Sequence, residues 1–214
     1  MKAFFDFETN IDRQQIFRSL NLYEGSAHYD YYLDVYEELL LEFGQLVKPE
    51  GYYQLKTNAL GKDFHLDLES PTHVVFCLIT LGDAISKRST EMFKDNDSFK
   101  GLLLDAMANQ LLFDSSELFY HCIREDIHLK MGFGLTRRYS PGDEGICLTY
   151  QKEILDSLND VMVQKIEVTK KYMYKPSKTL GYVYGAGQGL ECSLNDHDCS
   201  RCQQTSCNFQ KSTN

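Results

Sequence analysis

The sequence predicts an α+β fold: a single domain with a small, mainly antiparallel, twisted sheet flanked by helices, followed by a cysteine-rich C-terminal appendage. Apolar residues recur at helical spacing over much of the chain, whereas one continuous apolar run rich in β-branched residues is typical of a buried strand. Helices flank strands without the regular alternation of a doubly wound fold. We predict the domain at residues 1–185 and the appendage at residues 186–214.

The N-terminal part of the chain, positions 1–60, is predicted to be helical. Residues 10–20 begin with capping residues, and residues 28–47 repeat apolar side chains at helical spacing. Pro49 and Gly51 are predicted to end the second helix. Apolar faces are expected at Ile16, Phe17, Leu20, Tyr32, Val35, Tyr36, Leu39, Phe43 and Leu46.

The central segment changes from strand to helix. The run HVVFCLITLG, from His73 to Gly82, predicts a buried strand, and Asp83 is expected to cap a following helix. A long helix is predicted from about Ser98 to Asp126. Its apolar spine is expected at Leu104, Met107, Leu111, Leu118 and Cys122.

The last part of the domain is predicted to contain one more helix and two short strands. The helix is expected over residues 149–161, and the strands lie around Pro176 within residues 165–185. The following GAGQG, residues 185–189, lacks the G-x-G-x-x-G spacing of a dinucleotide loop and leads into the cysteines. It is therefore predicted to be a flexible tether.

Composition excludes several classes of function. The 214-residue chain has a formal net charge of −9 and no basic stripe, which argues against nucleic-acid binding. No apolar run is long enough to span a membrane, and the N-terminus turns acidic before a signal peptide could form. The sequence therefore predicts a cytoplasmic protein whose thiols are reduced.

The loop TRRYSPGDEG, residues 136–145, is the first candidate site. Arg137 and Arg138 precede a Ser–Pro–Gly turn, where proline and glycine allow a ligand to approach the backbone closely. A guanidinium beside such a turn suits a carboxylate ligand. The alternative interpretation, a polar connection between a strand and a helix, stays open on the residues alone.

The cysteine-rich tail is the second candidate site. Cys192, Cys199, Cys202 and Cys207 are spaced C-x6-C-x2-C-x4-C, which matches neither paired zinc knuckles nor either common ferredoxin pattern. An iron–sulfur cluster, a zinc site and an unmetallated, redox-labile tail are the three interpretations.

Four segments in register resemble a known family. They are VVFCLITLGDAISKRSTEMFKDNDSFKGLLLDAMANQ, RRYSPGDEG, YMYKPSKTLGYVYG and the cysteine tail. Together they resemble the activation domain of cobalamin-dependent methionine synthase, and more closely its short free-standing versions in anaerobic bacteria. The resemblance extends over roughly residues 10–209.

The resemblance implies an S-adenosylmethionine-binding protein. Such a domain docks on a methionine synthase or another corrinoid-binding protein, which presents cobalamin. There it supports the reductive methylation of inactive cob(II)alamin, with a flavodoxin- or ferredoxin-type electron donor. Whether the chain itself is an enzyme stays open. The alternatives are a non-catalytic module that docks on a corrinoid protein and an iron–sulfur electron carrier on the same fold.

The resemblance also implies the residues of the ligand site. Arg138 would hold the carboxylate of S-adenosylmethionine, and the Ser140–Gly142 backbone would border the adenosyl group. The matched stretch comprises Arg138, Tyr139, Ser140, Pro141, Gly142 and Asp143, where Asp143 replaces a family tyrosine. A family acidic residue on the long helix falls near Asn109. The cysteines, absent from the synthase domain itself, would supply or relay an electron if they hold a cluster.

Overall fold

The computed structural model describes residues 1–158, 163 and 165–197 and confirms the α+β class. Its main sheet is curled and antiparallel, with strands in the order β1-β2-β3-β7-β4. Those strands are β1 (Lys2–Phe4), β2 (Glu50–Thr57), β3 (His73–Thr80), β7 (Thr179–Gly187) and β4 (Gly134–Leu135). A separate two-stranded sheet pairs β5 (Glu167–Val168) with β6 (Tyr174–Lys175).

Helices cover both faces of the main sheet, and their bounds follow the apolar spacing of the sequence. They are α1 (Arg13–Ser19), α2 (Tyr29–Leu46), α3 (Gly61–Phe64), α4 (Ala84–Lys94), α5 (Ser98–Met131) and α6 (Tyr150–Ser157), with a 3₁₀ turn at Leu66–Leu68. Within the described part of the chain, no helix combines the length and the apolar character that a membrane span requires.

The two faces of strand β3 line two separate hydrophobic cores. Val75, Cys77 and Ile79 point into the core shared with α1, α2 and α5, whereas the alternate residues Val74, Phe76 and Leu78 point into the core under α6. Because both faces of β3 are covered, its sequence is continuously apolar rather than alternating. The predicted buried strand at His73–Thr80 is confirmed.

The prediction of helices throughout positions 1–60 is wrong at two places. Glu50–Thr57 forms β2 and pairs with the whole of β3, from Glu50 opposite Thr80 to Thr57 opposite His73, and Lys2–Phe4 forms β1 on its other side. The segment has strand-favouring tyrosines, but its ladder partner β3 comes only after α3 and the 3₁₀ turn. Pairing with a distant segment, rather than local periodicity, therefore decides the structure.

The predicted spine of α5 is correct in its first half and wrong in its second. Leu104, Met107 and Leu111 are fully buried, but Leu118 is 36% exposed and Cys122 is half-buried. The 34-residue helix buries residues on more than one side because different elements pack against it: Ser89 of α4 bonds to Gly101, whereas Tyr53 of β2 packs on Phe119. Its buried positions after Leu111 include Ser115, Ser116, Phe119, Tyr120 and Ile123.

The predicted tether at residues 185–189 is wrong for its first three residues. Gly185, Ala186 and Gly187 are buried at the end of β7, which is nine residues long and longer than the short strand expected after Pro176. A Cβ at Gly185 would lie 2.6 Å from Pro71 Cγ, so glycine here permits close packing rather than flexibility. The predicted boundary at residue 185 stays a prediction.

Candidate ligand-binding site

A β-bulge in the edge strand decides which face of the sheet each of the two adjacent arginines occupies. Gly134 and Leu135 pair with Gly187 and Ala186, but the next paired residue is Tyr139, opposite Val183. The edge strand therefore takes four steps from Leu135 to Tyr139, whereas β7 takes three from Ala186 to Val183. A bulge of this kind turns side chains towards new directions, and it is common beside functional sites.

Arg138 is the centre of the candidate site. Its guanidinium is buried in the core beneath α5, where Nη1 donates to Asp196 Oδ2 at 2.8 Å and to Ser116 Oγ at 2.9 Å. Ser116 Oγ in turn donates to Asp196 Oδ2, and Tyr184 Oη donates to Asp196 Oδ1 at 2.5 Å. We call Arg138, Ser116 and Tyr184 the carboxylate cradle. These residues donate hydrogen bonds to both oxygens of the Asp196 carboxylate.

Electrostatics keep the cradle positive. Burial acts to lower the pKa of the Arg138 guanidinium, but the Asp196 carboxylate and the Tyr184 and Tyr182 side chains outweigh it, and the pKa is raised. Burial and Asp196 also raise the pKa of Tyr184, so its hydroxyl remains a donor. The guanidinium lies 5.4 Å from the centroid of the Tyr182 ring, which adds a cation–π contact.

Three buried polar atoms on Arg138 and its neighbours have no hydrogen-bond partner among the described residues. They are Arg138 Nε, the hydroxyl of Tyr182 and the hydroxyl of Ser115, which precedes Ser116 on α5. Buried polar groups are normally satisfied, because leaving one unpaired costs about 1–3 kcal/mol. Arg138 Nε is therefore one donor that Asp196 does not use.

A polar cluster lies further along α5 from the cradle. Lys178, immediately before β7, pairs with Asp105 Oδ1 at 2.6 Å and donates to Asn109 Oδ1 at 2.7 Å. Asn109 and Ser116 lie about two turns apart on α5, which corresponds to about 10 Å along the helix. Exposed Phe113 on α5 and half-buried Leu180 on β7 lie at intermediate positions in the two elements. Each element thus carries an apolar side chain between its polar positions.

The predicted turn follows Arg138 on the same strand. Tyr139, Ser140 and Pro141 are buried, whereas Gly142 and Asp143 are exposed. The Asp143 amide donates to the Ser140 carbonyl, and Gly142 has a φ of 98°, a conformation that favours glycine. The exposed Asp143 carboxylate contributes to the electrostatic potential at Arg138.

Arg137 belongs to a different cluster on the other face of the sheet. Its guanidinium binds Glu144 through two hydrogen bonds of 2.8 Å and stacks at 4.5 Å on the Tyr139 ring. His65 Nε2 lies 3.1 Å from Glu144 Oε2, and the Tyr139 hydroxyl donates to Asp67 at 2.7 Å. These mutual contacts hold the turn against the 3₁₀ segment, so we assign Arg137 a structural role.

Removing the Glu144 charge is expected to destabilise the protein in a pH-dependent way. The hydrogen bonds from Arg137 hold the pKa of Glu144 below its ordinary value. A carboxyl group whose pKa is lowered by folding stabilises the protein at pH values above its unfolded-state pKa. This stabilisation is lost as the pH falls through the folded-state pKa. Glu144→Gln should therefore lower the free energy of unfolding by about 2 kcal/mol at pH 7 and by progressively less towards pH 3.

Urea unfolding from pH 3 to pH 7 measures this effect, with the exposed Glu153→Gln as the control. An equal deficit for Glu144→Gln at both ends of the pH range would contradict the assignment.

The cysteine tail lies mostly outside the described residues. Cys192 is described and half-buried, whereas Cys199, Cys202 and Cys207 are not described. Among residues 1–158, 163 and 165–197, no group of three His, Cys, Asp or Glu side chains is arranged to hold a metal ion. The four-cysteine metal or iron–sulfur site therefore stays a prediction.

The sequence predicted Arg138 as a site residue but gave no indication of the residues around it. Ser116 and Tyr184 were interpreted only as parts of a helix and a strand, and Asp196 only as part of the cysteine tail. Ser116 and Asp196 lie 80 positions apart in the chain. The one available signal was a pair of adjacent serines, Ser115 and Ser116, on the largely apolar buried side of α5.

Comparison with known proteins supports the fold assignment. No model of a known protein family matches the chain, and no curated protein matches it. Among solved structures, it is similar to the MetH reactivation domain crystallised with AdoHcy, with a TM-score of 0.60 at 11% sequence identity. The match covers 86% of this chain and 76% of the other. The chain therefore has the fold of that domain.

Proposed function

We propose that the protein binds S-adenosylmethionine or S-adenosylhomocysteine and serves as an activation module for a corrinoid protein. The observation that carries this proposal is the carboxylate cradle: a buried arginine that already binds a carboxylate through several hydrogen bonds. The chain shares its fold with a domain whose structure was solved with AdoHcy bound. Both ligands carry an α-carboxylate suited to such a site.

Each end of the ligand would meet groups of suitable chemistry. Arg138 and Ser116 would hold the α-carboxylate, with Arg138 Nε available as a further donor. The exposed Asp143 would favour the positive sulfonium or ammonium group. The adenosyl group would lie over the apolar side chains between the polar positions of α5 and β7, with its polar atoms towards Asn109 and Lys178.

The same residues also determine how the ligand is oriented. The ion pair with Arg138 would fix the amino-acid end, because a charge-assisted hydrogen bond is directional as well as strong. The methyl group would then face away from the cradle, where a partner can reach it. A corrinoid carried by that partner would accept the methyl group after one-electron reduction by a flavodoxin- or ferredoxin-type donor.

A comparison of two related ligands tests the role of the cradle without altering the protein. Decarboxylated S-adenosylmethionine keeps the adenosyl, sulfonium and amino groups but lacks the carboxylate. We expect it to bind roughly 30- to 150-fold more weakly than S-adenosylmethionine, which corresponds to about 2–3 kcal/mol for a charged hydrogen-bonded group. Isothermal titration calorimetry on the wild-type protein measures both affinities.

Equal affinity for the two ligands would contradict the assignment of Arg138 as the carboxylate-binding residue. No binding of S-adenosylmethionine or S-adenosylhomocysteine, by wild type or by the Asp196→Ala variant described below, would overturn ligand binding altogether. The chain would then be better described as a docking module that lacks the ligand.

A further inference from the structure

Residues 190–197 run along the free edge of the main sheet and cross the cradle. The Ser193 amide donates to the Leu135 carbonyl at 2.9 Å, and the Arg138 amide donates to the Asp196 carbonyl at 2.8 Å. The Tyr120 hydroxyl donates to the Ser193 carbonyl at 2.7 Å. We call residues 190–197 the C-terminal strap. It adds backbone pairing to an edge that β4 otherwise leaves open.

The strap is held mainly by polar contacts and one buried side chain. Asp196 is 1% exposed, whereas Leu194 is 81% exposed and none of the other strap residues is buried. A segment without buried apolar side chains opens more readily than the helices and strands that form the core. The Asp196 carboxylate is therefore the buried side-chain anchor of the strap, beside the hydrogen bonds to its backbone.

The Asp196 carboxylate occupies the position that the proposed ligand's carboxylate requires. It accepts hydrogen bonds from Arg138, from Ser116 and from Tyr184, which are the donors of the cradle. One set of donors in a close-packed site cannot hold two carboxylates at once, and two adjacent negative charges would repel. Binding of Asp196 and binding of an external carboxylate are thus mutually exclusive.

We propose that Asp196 is an internal ligand of the cradle, and that the C-terminal strap must leave before an adenosyl amino acid can bind. This inference rests on the proposed function for the identity of the external ligand. Its physical basis, an exchangeable carboxylate in the cradle, is independent of that function. The apparent affinity for the ligand would equal the affinity of the open form multiplied by the fraction of molecules in which the strap is open.

Chemical rescue with acetate tests the exchange without any adenosyl ligand. Asp196→Ala removes the carboxylate from the cradle and leaves its donors Arg138, Ser116 and Tyr184 unchanged in sequence. Sodium acetate at about 0.1 M should raise the melting temperature of Asp196→Ala more than sodium chloride of equal ionic strength, because acetate binds only the folded state. Wild type and the double variant Arg138→Met/Asp196→Ala should show no difference between the two salts.

Titration with S-adenosylhomocysteine tests the competition itself. Asp196→Ala should bind this ligand about tenfold or more tightly than wild type, since it no longer has to displace the strap. Gly134→Ala provides an independent test, because its Cβ would lie 1.9 Å from the Leu190 carbonyl oxygen and force the strap away. Gly187→Ala, at the paired position, is the matched control.

The outcomes separate the two proposals. Acetate-specific stabilisation together with tighter S-adenosylhomocysteine binding by Asp196→Ala and Gly134→Ala supports the internal ligand. Acetate-specific stabilisation without adenosyl binding by any variant supports the exchangeable carboxylate and overturns the proposed function. No acetate-specific effect, or unchanged S-adenosylhomocysteine affinity in Asp196→Ala, overturns the internal ligand.

Discussion

Arg138→Met is expected to lower the free energy of unfolding by about 3 kcal/mol, because removing one partner of a buried ion pair leaves the other charge uncompensated. Asp196 would remain in the core without its guanidinium, and Ser116 would lose a donor. For a protein of this size the loss corresponds to a decrease in melting temperature of roughly 6–12 °C. Urea denaturation and thermal melting at pH 7 measure both quantities.

A double-mutant cycle shows whether the loss comes from the ion pair. In Arg138→Met/Asp196→Asn no charge is left unpaired, so the double variant should be no less stable than Arg138→Met alone. Arg124→Met is the matched control, since Arg124 lies on the same helix as Ser116 and its hydrogen bond to the strap is long, at 3.4 Å. Additive effects of the two substitutions would contradict a coupled pair.

Gly181→Ala is expected to be about as damaging as Arg138→Met, with a loss of about 3 kcal/mol from overpacking. A Cβ at Gly181 would lie 2.1 Å from Tyr174 Oη and 2.7 Å from Tyr174 Cζ. Tyr174 is buried and its hydroxyl donates to the Gln151 carbonyl, so the ring has little freedom to move. The disturbance would reach Tyr182, the next residue of β7, which lies beneath Arg138.

Gly187→Ala in the same strand provides the comparison. Its Cβ would approach Thr72 Oγ1 to 3.3 Å, a contact that a small movement relieves. We expect a change in unfolding free energy within about 1 kcal/mol, since alanine also restricts the unfolded chain. Equal losses for Gly181→Ala and Gly187→Ala would show that the cost reflects strand glycine in general and not the contact with Tyr174.

The candidate site illustrates how far local sequence patterns extend. The Ser–Pro–Gly turn pointed to Arg137 and Arg138 together, and only the family resemblance implied Arg138 as the ligand-binding residue. Its partners Ser116, Tyr184 and Asp196 come from a helix, a strand and the C-terminal strap. No periodicity or spacing connects these segments, because their contacts depend on how the elements pack.

The sequence by itself determined the α+β class, the buried strand at His73–Thr80 and the approximate positions of the main helices. These features depend on hydrophobic periodicity and on turn residues, which act over a few neighbouring positions. Only the tertiary structure decided that residues 50–57 form a strand, that Gly185–Gly187 continue β7, and which face of the sheet each arginine occupies.

The bulge between Leu135 and Tyr139 determines which face of the sheet each arginine occupies. It is defined by pairing with β7, which comes in the chain only after α6 and the two-stranded sheet. Long-range pairing and the burial of charge select it, and neither leaves a local pattern in the sequence.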